Sequence, residues 1–208
     1  MFGAIPFTHT GVRATWALSD TVSLIAGVNN GWDQVTDKNR DKTVELGATF
    51  NPIRPLNISI SGYSGKEPAG TGNGTRTSIN AVGSYNINRA LSVGAELLNV
   101  SQDIPAGGGA TTSAKYTGLA GYGSYMFAPK LRGVARVEQF DDKDGLHFRV
   151  AGTKYRELTA TGAYLASDSF EARAELRQDK ATNAVFRDFN GATSKTLMTL
   201  AVQGLYKF

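Results

Sequence analysis

Cysteine is absent from the 208 residues, so neither a disulfide framework nor a thiolate metal site can form. Histidine occurs only twice, at His9 and His147, which leaves a zinc site short of ligands. Proline is sparse, at 6 residues against 24 glycines. No apolar run approaches the roughly 18 residues that a membrane-spanning helix needs. The opening MFGAIPF lacks the basic-then-apolar order of a signal peptide, so the expectation is a mature form or a piece of a longer chain. Charge of one sign is also lacking: 22 basic and 18 acidic residues give a net +4. The basic residues are dispersed and form no aromatic-basic face, which argues against nucleic acid as a partner.

What is there is alternation of period two. Segments of about ten residues place apolar and polar side chains on opposite faces, the signature of strands with two different surroundings. Eleven strands are expected, at 8–18, 20–29, 42–50, 55–64, 75–86, 90–101, 113–127, 130–140, 154–166, 169–179 and 195–208. Short connections (18–20, 51–55, 86–90, 127–130, 166–169) alternate with longer polar ones (30–41, 65–74, 102–112, 141–153, 180–194). Tight turns at one end and longer loops at the other are the asymmetry of an outer-membrane barrel. Such strands escape a hydropathy scan, because lipid-facing and lumen-facing residues average out.

The parity separates two kinds of surface. Phe170, Ala172, Ala174 and Leu176 alternate with Glu171, Arg173, Glu175 and Arg177; Met198, Leu200, Val202, Gly204 and Tyr206 alternate with Leu197, Thr199, Ala201, Gln203 and Leu205. A soluble sandwich must fill a core with large side chains. Here the apolar face is a thin coat rich in Ala and Gly, and the polar face carries mid-strand charges of both signs. The expected pore-lining residues are Arg13, Glu45, Arg76, Glu96, Arg132, Arg136, Glu138, Glu157, Glu171, Arg173, Glu175, Arg177, Lys195 and Lys207. Eight of these are basic and six acidic, which implies at most a slight anion preference. Cross-strand pairing of Glu171, Arg173, Glu175 and Arg177 that merely stiffens the wall is the competing reading. Aromatics gather near the short turns and the C-terminus: Trp16, Phe50, Tyr85, Tyr125, Phe127, Tyr164, Phe170, Tyr206 and Phe208. Rings at one height suit an interfacial girdle.

PFTHTGVRATWALSDTVSLIAGVNNGWD, KTVELGATFNP, NISISGYSGKE, GLAGYGSY, RVEQFDDKDG and the terminal GLYKF resemble the β-barrel porin-2 family of proteobacterial outer-membrane porins. The resemblance implies bacterial outer-membrane localisation, with membrane lipid and lipopolysaccharide around the wall. It also makes Phe208, with Tyr206 two residues before, the signal read by the barrel-assembly machinery. Family members are longer, and the match is to their C-terminal portion.

The fold expected is therefore all-β: an antiparallel up-and-down transmembrane β-barrel of about eleven strands in a single domain over 1–208. Bacterial barrels have even strand numbers, so either ten to twelve strands close on themselves or the chain is the C-terminal part of a larger barrel. The second is preferred. The expected activity is passive diffusion of small hydrophilic solutes or ions, with no catalysis, no cofactor and no metal. A plugged barrel that acts through its extracellular loops is the alternative, and a soluble β-sandwich or ligand-binding barrel is a third. An apolar outer face serves lipid contact and a homo-oligomer interface equally. His9 and His147 have no Ser and orienting acid placed to form a hydrolase. GTGNGT (70–75) lacks the helix that a phosphate loop requires and reads as a flexible hairpin loop. DDKDG (141–145) has Phe140 and Ala151 where a calcium loop places its first and last ligands, and reads as an acidic turn. A weak divalent-ion or lipopolysaccharide bridge there is a minor alternative. The loops offer no aromatic platform for a sugar or nucleotide.

Overall fold

The computed structural model describes residues 2–208. Eleven strands form one antiparallel sheet in chain order: β1 (Gly11–Ala17), β2 (Val22–Asn29), β3 (Thr43–Ile53), β4 (Leu56–Ala69), β5 (Gly72–Asn86), β6 (Leu91–Pro105), β7 (Thr111–Ala128), β8 (Leu131–Asp142), β9 (Thr153–Leu165), β10 (Phe170–Ala181) and β13 (Thr196–Tyr206). A separate hairpin, β11 (Phe186–Arg187) and β12 (Thr193–Ser194), stands in the last long loop. Among the described residues two 3₁₀ turns, Phe2–Ala4 and Gly107–Gly109, complete the elements, and no helix is long and apolar enough to cross a membrane. Each expected strand has its counterpart, and the short hairpin is an addition.

Several of the tight turns at one end share a device. Ser19 Oγ accepts from Thr21 N at 3.2 Å and Val22 N at 3.1 Å. Asn88 Oδ1 accepts from Ala90 N and Leu91 N at 2.8 and 2.9 Å, and Ser167 Oγ from Ser169 N and Phe170 N at 3.3 and 3.1 Å. These side chains mimic a backbone turn and fix where each strand reverses. At the opposite end β4 and β5 run on to a tip at Gly70 and Thr71, where Gly70 adopts φ +54°. The 65–74 stretch is therefore a ladder of paired strands, with GTGNGT partly inside β5, rather than a flexible loop. β6 and β7 likewise pair as far as Pro105 and Thr111. About 9–11 residues suffice to cross a bilayer, so the 18-residue β7 stands well beyond it.

The two faces differ as the parity requires. Side chains on one face reach across an intervening strand: Arg13 on β1 meets Glu45 on β3 at 2.9 Å, and Arg132 on β8 meets Glu171 on β10 at 2.5 Å. Such contacts mark that face as the concave, inward one. The outward face exposes Leu46, Ile60, Leu97, Leu119, Val137 and Leu158. It also carries glycines, and at Gly133 a methyl group would sit 2.6 Å from the Phe127 ring, which lies over that gap. Among the described residues β1 and β13 are the two edges of the sheet and pair only with β2 and β10 respectively.

Candidate functional site

Twelve of the fourteen charged residues read from the sequence lie within strands on the inward parity: Arg13, Glu45, Arg76, Glu96, Arg132, Arg136, Glu138, Glu157, Glu171, Arg173, Glu175 and Arg177. Lys195 and Lys207 keep that parity but fall just beyond the ends of β13 and are exposed. Three further carboxylates share the inward face: Glu67 near the tip of β4, Asp142 at the end of β8 and Asp179 near the end of β10. They remove the basic excess of the sequence-read set, and with it the basis for a slight anion preference. Asp179 continues the alternation of Glu171, Arg173, Glu175 and Arg177 within its expected strand, whereas Glu67 and Asp142 lie beyond theirs, in stretches whose composition reads as loop.

The inward charges pair extensively. Arg136 grips Glu157 with two bonds of 2.7 and 2.5 Å, and Arg177 Nη2 stands 3.3 Å from the same carboxylate. Arg177 also meets Asp179 at 2.8 and 2.7 Å, while Glu171 accepts from both Arg132 and Arg173 at 2.5 Å. Glu175 accepts from Thr161 Oγ1 at 2.9 Å; Glu96 accepts from Asn80 and Tyr122, each at 2.9 Å; and Tyr63 donates to Glu45 at 2.9 Å. Arg76 bonds the buried Gln102 and lies 5.0 Å over the Trp32 ring. A belt of neutralised pairs keeps charge affordable on a wall with no metal cluster among the described residues. Arg13, Arg173 and Arg177 keep 46, 35 and 40% of their side chains exposed, so they present positive charge even while paired.

Two segments fold against this face near the long-loop end. Residues 2–10 lead in: Tyr116 Oη donates to the Ala4 carbonyl at 2.7 Å, and Ala4 packs with Leu98, Val100, Tyr116 and Phe140. The 30–42 loop covers them, with Asp33 Oδ1 accepting from Phe7 N and Thr8 N at 2.5 and 2.8 Å. Glu67, 2% exposed, latches that loop by accepting from Trp32 N at 2.7 Å, Gln34 Nε2 at 2.7 Å and Thr43 Oγ1 at 2.8 Å. His9 stacks on Tyr63 with centroids 5.0 Å apart, which gives it a packing role.

The 141–153 loop is organised from within. Asp142, fully buried, accepts from His147 N and Phe148 N, so DDKDG is a turn built on backbone capture. Aromatics gather where this loop meets the wall: His147 and Phe148 pack with Tyr116, Phe140 and Tyr155, and Tyr155 reaches Phe186. The rings pack edge-on and tilted against one another, which ties the loop to the wall instead of opening a flat platform. Burial holds the His147 imidazole below its ordinary range, with Asp142 pulling the opposite way. At the other end of the strands Trp16, Phe50, Tyr85, Tyr125, Phe127, Tyr164, Phe170, Tyr206 and Phe208 are all exposed, and the strand-borne ones take the outward parity.

A family model described as "Putative beta-barrel porin-2, OmpL-like" matches residues 1–208. No curated protein matches in sequence. Among solved structures, the anion-selective porin from Comamonas acidovorans superposes with TM-score 0.76 at 14% identity, over 94% of this chain and 58% of that one. OmpT of Vibrio cholerae gives 0.66 at 15% identity, over 94% and 63%. The NanC porin gives 0.57 at 10% identity, over 96% and 93%. The chain thus spans 58% of the length of the Comamonas porin and 63% of that of OmpT.

Proposed function

The chain belongs to the β-barrel porin-2, OmpL-like family of bacterial outer-membrane β-barrels, and we propose that its inward face lines a water-filled pore for passive diffusion of small hydrophilic solutes and ions. The observation that carries this reading is the mid-strand charge on one face, set against an outward face of exposed Leu, Ile, Val, Ala and Gly. Ionised side chains persist mid-strand only where water or a partner meets them, and here both are offered. The residues 2–10 and the 30–42 loop narrow the pore near the long-loop end. Selectivity is weak, because paired charges of both signs leave no dominant field; the anion selectivity of the Comamonas porin does not carry over on this face. The exposed aromatics at the short-turn end serve as the membrane girdle, and Phe208 as the mark for the assembly machinery.

The unpaired edges of β1 and β13 would be costly in hydrocarbon, where every backbone donor and acceptor needs a partner. We propose that further strands complete the wall, as the lengths of the Comamonas porin and OmpT suggest. The intact protein in planar bilayers should give ohmic steps that scale with bulk salt conductivity. A correctly folded but silent barrel would refute the pore. It would favour the alternative of a plugged barrel, for which the inward-folded residues 2–10 are the supporting observation.

A further inference from the structure

The outward face carries an arrangement that a bare lipid-facing wall does not explain. Arg156 on β9 stands directly opposite Lys180 on β10, both exposed and both on the outward parity. Like charges facing each other across antiparallel strands destabilise the pair. Among the described residues neither has a carboxylate within ion-pair distance, and the next outward acid, Asp141, is held by Lys154 at 3.2 Å. Two residues nearer the short turns, the outward positions on β8 and β9 are Val137 and Leu158, each 55% exposed. The cations therefore sit at the upper border of the apolar band, on the side of the long loops.

A second feature adjoins them. Arg156 is also opposite Gln139 on β8. Gln139 and Asp141 close one end of a shallow groove of about 450 Å³ that crosses β7, β6 and β5 between two outward rows, with Leu119, Leu97 and Ala81 on the short-turn side and Thr117, Asn99 and Ile79 on the long-loop side. A polar end beside two unneutralised cations, continued by a groove whose membrane side is Leu119, Leu97 and Ala81, matches an amphiphile with an anionic head.

We propose that Arg156 and Lys180 bind a phosphate of a phosphorylated glycolipid in the outer leaflet, with one of its acyl chains lying in the Gln139–Ile79 groove. The phosphate relieves the repulsion of the two cations, and its charge-assisted bonds to them fix the lipid at this depth. The site rests on outer-membrane placement alone, so it stands whether or not the pore conducts.

The test uses the intact protein in mild detergent, titrated with bisphosphorylated lipid A, with the same lipid stripped of phosphate, and with inorganic phosphate as competitor. The wild type should bind the phosphorylated lipid about tenfold more tightly than does the Arg156→Gln/Lys180→Gln variant, two exposed ionic contacts being lost. The stripped lipid should bind both proteins equally, and millimolar inorganic phosphate should leave the lipid in place. Lys180→Gln alone removes the repulsion, so it should resist heat unfolding better than wild type in phosphate-free micelles while binding lipid A more weakly. That single variant carries the test if the double one does not fold. Equal affinity of variant and wild type, or of stripped and phosphorylated lipid, overturns the proposal. Displacement by inorganic phosphate would assign the cations to free anion and overturns it too.

Discussion

Replacing Glu67 by Ala should release the 30–42 loop while leaving the sheet intact. The carboxylate is 2% exposed and accepts three hydrogen bonds, from Trp32 N, Gln34 Nε2 and Thr43 Oγ1. A hydrogen bond to a charged group contributes about 1.5–3 kcal/mol, and a neutral partner left buried and unmet costs about 1–3 kcal/mol. Thr43 belongs to the wall and can turn to water, and loop opening hydrates Trp32 N and Gln34. The net loss to the closed loop is then about 3 kcal/mol rather than the full sum. At 1.4 kcal/mol per factor of ten, the open population rises about 150-fold. Limited proteolysis read by mass spectrometry should show cleavage within 30–42 accelerating by that order, with global heat-modifiable mobility unchanged. The single-channel conductance should rise in parallel, because the loop no longer narrows the pore. Glu67→Gln keeps one carbonyl acceptor and should fall between. A change in cleavage of less than about twofold would refute the latch.

Arg136→Ala strips Glu157, 7% exposed, of its two-bond partner and leaves Thr159 and the more distant Arg177. Loss of about 1–3 kcal/mol in urea unfolding is expected, smaller than for an isolated buried pair because Arg177 and lumen water compensate. The reversal potential in a salt gradient should move toward cation preference. His147 titrates below its ordinary range because it is buried, so the anchored loop favours the neutral ring. The detached loop binds the proton more readily. Anchoring is complete above about pH 6.5 and is lost as pH falls through the lower folded value. The protection factors of amides across 143–152, corrected for the pH dependence of intrinsic exchange, should therefore fall on going from about pH 7.5 to about pH 5, and His147→Gln should flatten that dependence.

Most of the wall was legible because a strand flanked by lipid and water must alternate, and one residue of slip would turn every charge into the membrane. The register of β10 shows it: Glu171, Arg173, Glu175 and Arg177 are inward without exception. What was not legible lies beyond the bilayer. Above the membrane the outward face no longer needs apolar residues, so Lys66–Ala69 and Gly72–Thr75 lose the alternation signal while their ladder continues. Glu67 was hidden in this way among residues taken for loop. Ion pairing was foreseen only as a possibility for one strand, because partners such as Arg132 and Glu171 belong to strands separated by a third. The inward folding of residues 2–10 left no trace in the sequence: its anchors, Tyr116, Phe140 and Asp33, come from three distant segments. The Arg156–Lys180 pair was invisible for the same reason, since only the register sets them opposite each other.

The absence of cysteine makes the central claim directly testable. Single cysteines placed in turn at Ala172, Arg173, Ala174, Glu175, Leu176 and Arg177 of β10, in the intact protein in lipid vesicles, can be exposed to a small charged, membrane-impermeant thiol reagent. A water-filled pore predicts rapid labelling at 173, 175 and 177, and protection at 172, 174 and 176, where the side chains meet lipid. Uniform labelling, or protection at the three inward positions, would contradict the inward face as the lining of an aqueous pore.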